Sequence, residues 1–275
     1  MKEDAIKLVD KLSDYMDKSA AKFGDKILSY LKQAGSEAFE NWLQTLDVVD
    51  GKIVANYDAI SRLEQSLLQP LNATQYNNII LDFFYNYDTV LKNNKQIQKA
   101  ANDLEVDETK LVTLTEKQRV LQERVIYELK QGGIKLSYVE PTKKAAFDAI
   151  AFGDSIASAK ARLKETYKGK AISSRLEQIA RDGIFTYNGI VNEAIAETYD
   201  LKKVYYGGGL VSDSRPFCIR CANKTLEIGE IKSIVKTYLA SPELSKGMYS
   251  VPASEYNIFI YRGGWNCLHI AIPTK

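Results

Sequence analysis

Apolar residues recur every three or four positions along the first part of the chain. Over residues 4–33 this spacing predicts one face of a long helix, with a break near Gly24. A second helix is predicted from Ser36 up to Asp50-Gly51, a pair of residues typical of a tight turn. The beginning of the chain is therefore expected to fold as packed helices.

An aromatic stripe marks the next region. Residues 73–102 carry apolar and aromatic side chains at helical spacing, and residues 108–131 repeat apolar positions near heptad spacing until Gly132-Gly133. Two such helices joined by a short polar link predict an antiparallel hairpin. Because aromatic side chains dominate packing energies, Phe83 and Phe84 are expected to form core or a subunit contact rather than a ligand site.

The pattern changes to alternation over Ile134–Glu140, just before Pro141. Alternating apolar and polar residues predict a short strand or an extended link, and we place a domain boundary there. A helical domain of residues 1–140, with hairpins and an assembly surface, is followed by a second domain of residues 141–275. Three helices are predicted early in the second domain, over residues 143–167, 171–182 and 188–200.

Short strands are predicted in the last part of the chain. Their periodicity places them over residues 204–206, 258–261 and 268–272. Residues 228–239 have helical spacing instead, and Pro242 follows them. The sequence thus predicts a mainly α protein with a C-terminal α+β domain, in which helical hairpins fill the N-terminal half and a small sheet lies near the C-terminus.

Composition narrows the class of protein. A chain of 275 residues with 45% hydrophobic and 26% charged residues is ordinary for a globular protein. Its 37 Lys and Arg residues nearly balance 35 Asp and Glu residues, which argues against a general attraction to nucleic acid phosphate. The first residues lack the apolar core of a signal peptide, and no window is apolar enough to span a membrane. We expect a soluble protein made in a cytoplasm, without a membrane partner.

The residues able to carry chemistry are concentrated near the C-terminus. The three cysteines, Cys218, Cys221 and Cys267, and the single histidine, His269, fall in two short pieces of chain. Cys-x-x-Cys spacing can aim two thiolates at one ion, and Cys-x-His on a strand places two more ligands on one face because strand side chains alternate. The four side chains are predicted to form a closed, structural zinc site, with buried thiols and a hydrogen-bonded histidine as the alternative.

Two enzyme hypotheses compete with the metal site. A cysteine hydrolase acting on peptide or peptidoglycan would use Cys218 as nucleophile and His269 as base. Asn266 or Asp213 would then orient the imidazole ring, but the other two cysteines would have no task. A redox use of the Cys-x-x-Cys pair is disfavoured because the strand-to-helix context of a thioredoxin is absent.

A series of short motifs runs through the same region. They are Tyr206-Gly-Gly-Gly, Asp213-Ser-Arg-Pro-Phe-Cys, Asn223-Lys-Thr with Glu230-Ile, Gly263-Gly-Trp-Asn-Cys-Leu-His and a terminal Pro273. In this order and spacing, the region resembles the C-terminal domain of the phage minor head proteins related to protein F of phage Mu, also called head morphogenesis proteins. The resemblance covers residues 185–275 and, more loosely, residues 141–275.

The resemblance implies a component of the virion or prohead, present in several copies near the portal vertex. The α+β domain would stand behind a variable helical part. Its partners would be further copies of itself and portal or neighbouring head and neck proteins, with contact to packaged DNA left open. Family members often carry Arg where this chain has Leu268, so no charge-based role is assigned to that position.

Six further residues belong to these motifs, namely Asp213, Arg215, Gly263, Gly264, Trp265 and Asn266. Asp213 and Arg215 have two interpretations. They could contact DNA phosphate or a neighbouring subunit, or Asp213 could close a turn while Arg215 pairs with it or with a backbone carbonyl. The structural interpretation is favoured, and the other four are treated as structural motif residues.

Overall fold

The fold is described from a computed structural model, which covers residues 1–54, 57–168, 171–264 and 267–275. Its α-helices are α1 (Glu3–Leu43), α2 (Tyr57–Leu68), α3 (Thr74–Phe84), α4 (Asn86–Asn102), α5 (Leu114–Lys130), α6 (Gly132–Ile134), α7 (Glu140–Ala151), α8 (Ile156–Lys168), α9 (Ala171–Thr198), α10 (Pro216–Cys221), α11 (Ile228–Leu239) and α12 (Ile258–Tyr261). Short 3₁₀ helices occupy Gln69–Asn72 and Glu108–Lys110, and a π-helical turn occupies Lys135–Val139. No helix in the described ranges is long and apolar enough to cross a membrane.

The strands are β1 (Val48–Val49), β2 (Lys52–Ile53), β3 (Lys203–Gly207), β4 (Lys224–Glu227) and β5 (Ile270–Thr274). They form a two-stranded hairpin and, near the C-terminus, a three-stranded antiparallel sheet in the order β4-β3-β5. The predicted strands over residues 204–206 and 268–272 correspond to β3 and β5, and the predicted helix over residues 228–239 is α11. The predicted fold class, mainly α with a C-terminal α+β part, is confirmed.

The chain packs as two compact units. Unit 1 comprises Met1–Ala20, Phe84–Glu123 and Arg181–Lys275, and unit 2 comprises Ala21–Phe83 and Arg124–Ala180. Each unit joins stretches that are separated in sequence. The boundary expected after residue 140 falls within unit 2, so the packing divides the chain differently from the predicted ranges 1–140 and 141–275.

Helix α1 is continuous where the sequence predicted a break at Gly24 and a new start at Ser36. The glycine serves close packing instead, since a Cβ added to Gly24 would lie 3.3 Å from the backbone of Glu177. The extended link predicted over Ile134–Glu140 is also wrong, because this stretch is helical and runs into α7. Pro141 lies in the first turn of α7, directly after the π-helical turn.

Two predictions near the C-terminus are corrected as well. The helices predicted over residues 171–182 and 188–200 form the single helix α9, in which Gly189 lets the backbone of Phe259 approach closely. The strand predicted over residues 258–261 is the one-turn helix α12. Asn257 starts that turn, because its side-chain oxygen accepts hydrogen bonds from the amides of Phe259 at 3.0 Å and Ile260 at 3.4 Å.

The sheet of unit 1 is held by α4. Strand β5 lies at an edge of the sheet, which tolerates Pro273 because an edge strand can lack a ladder N–H. The carbonyl of Pro273 accepts hydrogen bonds from the side-chain amides of Gln98 at 3.2 Å and Asn102 at 3.1 Å, both on α4. These contacts cover the open edge of the sheet and fix the position of β5.

Unit 2 has an aromatic core. The rings of Phe23 and Phe83 lie 4.3 Å apart between centroids, and the Tyr76 hydroxyl donates to the carbonyl of Leu129 at 2.7 Å, which joins α3 to α5. The expectation that Phe83 belongs to a core is confirmed, since its side chain is 2% exposed. In the β1–β2 hairpin of the same unit, the turn predicted at Asp50-Gly51 has positive φ at both residues, as a tight hairpin turn requires.

Candidate metal centre

Elements of unit 1 bring the cysteines and the histidine together. Helix α10 begins at Pro216, whose fixed φ suits a first helical residue, and it carries Cys218 among its buried residues. The stretch Cys267–His269 immediately precedes β5, whose first residue, Ile270, pairs with Gly207 of β3. The pairing of β5 with β3 therefore places Cys267 and His269 beside the C-terminal end of β3.

Three side chains that can bind a metal converge at this place. The Sγ atoms of Cys218 and Cys267 are 3.7 Å apart, and Cys267 Sγ lies 3.6 Å from His269 Nδ1. The donor atoms of all three residues lie within 4.8 Å of one another. Each side chain is buried, with exposed fractions of 2%, 3% and 4% in chain order. This group could hold a metal ion.

Two of the three distances between donor atoms match those around a tetrahedral ion. With metal–sulphur bonds of about 2.3 Å and metal–nitrogen bonds of about 2.0–2.1 Å, tetrahedral zinc separates two sulphurs by about 3.8 Å and a sulphur from a nitrogen by about 3.6 Å. The distances between Cys218 and Cys267 and between Cys267 and His269 agree with these values. Two thiols and an imidazole also have the donor chemistry that such an ion prefers.

Cys221, the fourth predicted ligand, lies outside this group. It is buried at the last position of α10, three residues after Cys218. The structure brings together three of the four predicted ligands.

Tyr206 of β3 contacts all three members of the group. Its hydroxyl oxygen lies 3.2 Å from Cys267 Sγ and 3.7 Å from Cys218 Sγ. Its ring stacks on the His269 imidazole with 5.0 Å between centroids and 6° between planes. A hydroxyl that donates to a ligating sulphur stabilises the thiolate and orients it. The sequence placed Tyr206 in a motif without giving it a role.

Two motif glycines are required by packing around the group. A Cβ on Gly263 would collide with Cys218 Sγ and would lie 3.2 Å from Cys267 Sγ. Gly264 has φ of 107°, and a Cβ there would collide with the carbonyl oxygen of Gly247. Trp265 and Asn266, the other residues of this motif, lie outside the described residues.

The two thiols of the group differ in acidity. Burial opposes ionisation of Cys267, but hydrogen bonds with Cys218 and His269, together with the charges of His269 and Arg262, hold its pKa well below the usual value. The hydrogen bond with Cys267 and then burial raise the pKa of Cys218. Burial raises the pKa of Cys221 to about 11. The group therefore favours one thiolate, on Cys267.

Arg262 is the charged residue that the sequence did not single out. Its side chain is 1% exposed, its Nη2 lies 3.9 Å from Asp182 Oδ1, and its guanidinium lies over the ring of Phe185. Its Nε and Nη1 atoms have no hydrogen-bond partner among the described residues. Arg262 also has φ of 49°, which is strained for a residue with a Cβ. Its position directly before Gly263-Gly264 was the available signal in the sequence.

A cavity of about 680 Å³ reaches the group. Cys218, Cys267 and His269 form part of its wall. The charged side chains on the rest of the wall are Arg181, Asp213, Arg215, Glu243 and Lys246. Because Asp213, Glu243 and Lys246 are exposed, the cavity runs from the surface to the buried donors.

The turn before α10 is closed differently from the expectation for Asp213. The Val211 amide donates to the hydroxyl of Ser214 at 2.8 Å, and the Ser214 amide donates to the Val211 carbonyl at 2.9 Å. Arg215 has the extended backbone that a residue before proline prefers.

Comparisons with known protein families, with curated proteins and with solved structures find no significant match to this chain.

Proposed function

We propose that this protein is a structural and assembly component of a bacteriophage particle, a minor head protein near the portal or neck, whose C-terminal part is clamped by zinc. Its partners would be other copies of itself and portal or neighbouring head and neck proteins, in the virion. It would be made in the host cytoplasm. The ordered motifs between Tyr206 and Pro273 support this proposal, as does an α+β part that follows long helices.

The observation that carries the proposal is the convergence of Cys218, Cys267 and His269 from two pieces of chain into one buried group. An ion held by these residues would connect α10 to the segment before β5. Because a preformed site rarely exists in an unfolded chain, the free energy of metal binding contributes directly to folding. We therefore assign the ion a structural role and expect no catalytic activity.

The charge balance is consistent with an assembly role. A chain with 37 basic and 35 acidic residues can pack against its own copies without strong repulsion. The long helix α1 has an exposed face of the kind that side-by-side packing uses. Contact with packaged DNA would need a local basic patch.

The virion assignment is tested by mass spectrometry and immunolabelling of purified virions and proheads. We expect several copies per particle, with label at the portal vertex. A monomeric state of the isolated chain is compatible with assembly on a portal template. Absence of the chain from both virions and proheads would refute the assignment.

The metal clamp is tested by a matched pair of cysteine variants. The chain purified without added chelator should contain one zinc per molecule by elemental analysis. Cys218→Ser should lose most of the metal, whereas Cys221→Ser, a change of a buried cysteine on the same helix, should keep it. A metal-free parent protein, or equal loss in both variants, would contradict a centre built on Cys218, Cys267 and His269.

A second candidate function is a cysteine hydrolase, and one observation favours it. Cys267 combines a lowered pKa, a neighbouring His269 at 3.6 Å and a place on the cavity wall, which are the requirements of a nucleophile. The nucleophile would then be Cys267, not Cys218 as the sequence suggested, because the pKa of Cys218 is raised. Rapid alkylation of Cys267 in the protein as isolated, and a peptidase or peptidoglycan hydrolase activity lost in Cys267→Ala, would support this candidate over the clamp.

A further inference from the structure

Two of the three cysteine side chains lie in contact at the inner wall of the cavity. The Sγ atoms of Cys218 and Cys267 are 3.7 Å apart, although the residues are 49 positions apart in the chain. We infer that the Cys/His group has a second, metal-free state, in which a peroxide has joined Cys218 to Cys267 in a reversible disulfide and the ion has been released. The release of the ion rests on the proposed metal centre, whereas the disulfide needs only the two thiols.

The first step is the geometry of the two sulphurs. A disulfide joins sulphurs about 2.0 Å apart, so the separation of 3.7 Å must shorten by about 1.7 Å. This is less than the displacement of a cysteine sulphur between two staggered rotamers. Gly263 allows the contact, since a Cβ there would collide with Cys218 Sγ and would lie 3.2 Å from Cys267 Sγ. Rotation of the two side chains can therefore bring the sulphurs together.

The observed contact also selects the pair. The Cys-x-x-Cys spacing alone would suggest a bond between Cys218 and Cys221, as in redox proteins. Cys221 is buried at the last position of α10, but it lies outside the donor group and is not among the residues described on the cavity wall. The sulphur in contact with Cys218 is that of Cys267. The disulfide is therefore assigned to Cys218 and Cys267, with Cys221 as an internal control.

The second step is access for an oxidant. Cys218 and Cys267 form part of the wall of the cavity of about 680 Å³, which runs from the surface to the buried donors. Charged side chains of both signs lie on the same wall, namely Arg181, Asp213, Arg215, Glu243 and Lys246. Hydrogen peroxide is small and uncharged, so it can reach the two thiols whatever ion pairs these side chains form.

The reaction balances in atoms and electrons. One thiol attacks an oxygen of hydrogen peroxide, the O–O bond breaks, and a sulphenic acid and one water form. The second thiol attacks the sulphenic sulphur, the S–S bond forms, the S–O bond breaks, and a second water leaves. The two thiols lose two electrons, and their protons end in the two waters. Because an ion needs both sulphurs as thiolates, the bound ion and the disulfide exclude each other.

The test treats the full chain with hydrogen peroxide, once loaded with zinc and once metal-free, and maps disulfides by mass spectrometry without reduction. Trypsin cuts after Arg220 and so places Cys218 and Cys221 on different peptides. It also cuts after Arg262, and Cys267 lies in the peptide that follows. We expect the Cys218 and Cys267 peptides to be linked, dithiothreitol to separate them, and one zinc to be released per link. Free zinc at about ten times its Kd should slow the reaction about tenfold, because only about a tenth of the chain is then metal-free.

Cysteine variants decide which thiols react. Cys221→Ser should form the link as the parent chain does, whereas Cys218→Ser should leave Cys267 without a disulfide. A link that contains Cys221, in the parent chain or in Cys218→Ser, would overturn the assignment of the pair. Three thiols that all stay reduced in the metal-free chain would overturn the second state itself.

Failure of this inference is distinguishable from failure of the metal centre. A chain that binds zinc but forms no disulfide after metal removal keeps the structural clamp and loses the second state. A chain that forms the link equally fast with and without zinc contradicts the exclusion of ion and disulfide, and with it the metal centre. The virion measurement above is independent of both outcomes, so the phage assignment is tested separately.

Discussion

The two compact units build their interiors in different ways. In unit 2 the buried side chains are almost all apolar, and Thr142 is the one buried polar side chain described there, satisfied by the carbonyl of Tyr138 at 2.7 Å. The other buried polar side chains described belong to unit 1. They are Asn94, Gln98, Asn102, Thr186, Asn188, Asn192, Arg262, His269 and Thr274.

Much of this polar interior is a network of amides between α4 and α9. Asn94 donates to Asn188 at 2.8 Å and accepts from Asn192 at 2.9 Å. The network is incomplete, because Asn188 Nδ2 and Asn192 Oδ1 have no partner among the described residues. Buried amides are costly unless they are aligned with their partners, so a network of this kind favours one arrangement of the two helices.

The difference between the units shows which of them depends on exact side-chain positions. Apolar burial is nondirectional and roughly proportional to area, so the interior of unit 2 contributes stability with little demand on angles. Hydrogen bonds and metal ligands require fixed positions, and the interior of unit 1 provides them around α4, α9 and the C-terminal sheet. The Cys/His group lies in the unit whose interior is already organised by directional contacts.

The largest loss of stability is expected from a change in the apolar core of unit 2. Phe83→Ala removes a ring that packs against Phe23, and we expect it to lower the free energy of unfolding by about 4 kcal/mol because it leaves a cavity. Leu81→Ala, on the same helix but 53% exposed, is the control and should change stability by less than about 0.5 kcal/mol. Denaturant unfolding measures both, and similar losses would mean that the apolar core is not what stabilises this unit.

The next largest loss of stability should follow removal of the metal and should be confined to unit 1. Removing the proposed metal with a chelator at neutral pH should destabilise that unit by about 3 kcal/mol, if the metal had been present at about a hundred times its Kd. Amide hydrogen exchange should then accelerate in residues 210–264 and 267–275, while unit 2 keeps its protection. Unchanged melting and exchange after complete metal removal would show that the clamp contributes nothing to the fold.

Two glycine-to-alanine variants of the metal-free protein test the packing around the Cys/His group. Gly263→Ala places a methyl group against Cys218 Sγ and should cost about 2 kcal/mol through overpacking. Gly229→Ala, at an open position in the first turn of α11, should be neutral or stabilising by up to about 1 kcal/mol. Thermal unfolding should give a lower melting temperature for Gly263→Ala and an unchanged or higher one for Gly229→Ala. A harmless Gly263→Ala would mean that the packing around the group is looser than described.

The sequence predicted best where local periodicity decides the structure. Helix α11 follows from its own spacing, whereas Gly24 was misread because the backbone it accommodates comes from a distant part of the chain. Ile258–Tyr261 has strand-forming residues, but the side chain of Asn257 starts a helical turn there. Side-chain capping outweighed β-propensity, which depends strongly on context.

The candidate site was only partly predicted, because some of its contacts come from distant parts of the chain. Residue type identified Cys218, Cys267 and His269, and the pairing of β5 with β3 brings the last two beside the first. Cys221, which the Cys-x-x-Cys spacing had included, lies outside the group, because the spacing alone does not specify where each side chain is placed. Tyr206 enters the site only through the fold, since nothing in its local sequence distinguishes a tyrosine that contacts sulphur from one that fills a core.

The smallest expected effect concerns the amide network itself. Asn94→Ala leaves Asn188 and Asn192 without their shared partner, and we expect a loss of about 1 to 2 kcal/mol from the buried groups that remain unpaired. Gln96→Ala, an exposed change on the same helix, is the control and should be neutral or slightly stabilising because alanine favours helix. Urea unfolding gives the difference in stability, and the metal content of each variant gives a second readout. If the network specifies geometry for the site, Asn94→Ala should also weaken metal retention, whereas a stability loss with unchanged metal content would limit its role to the packing of α4 on α9.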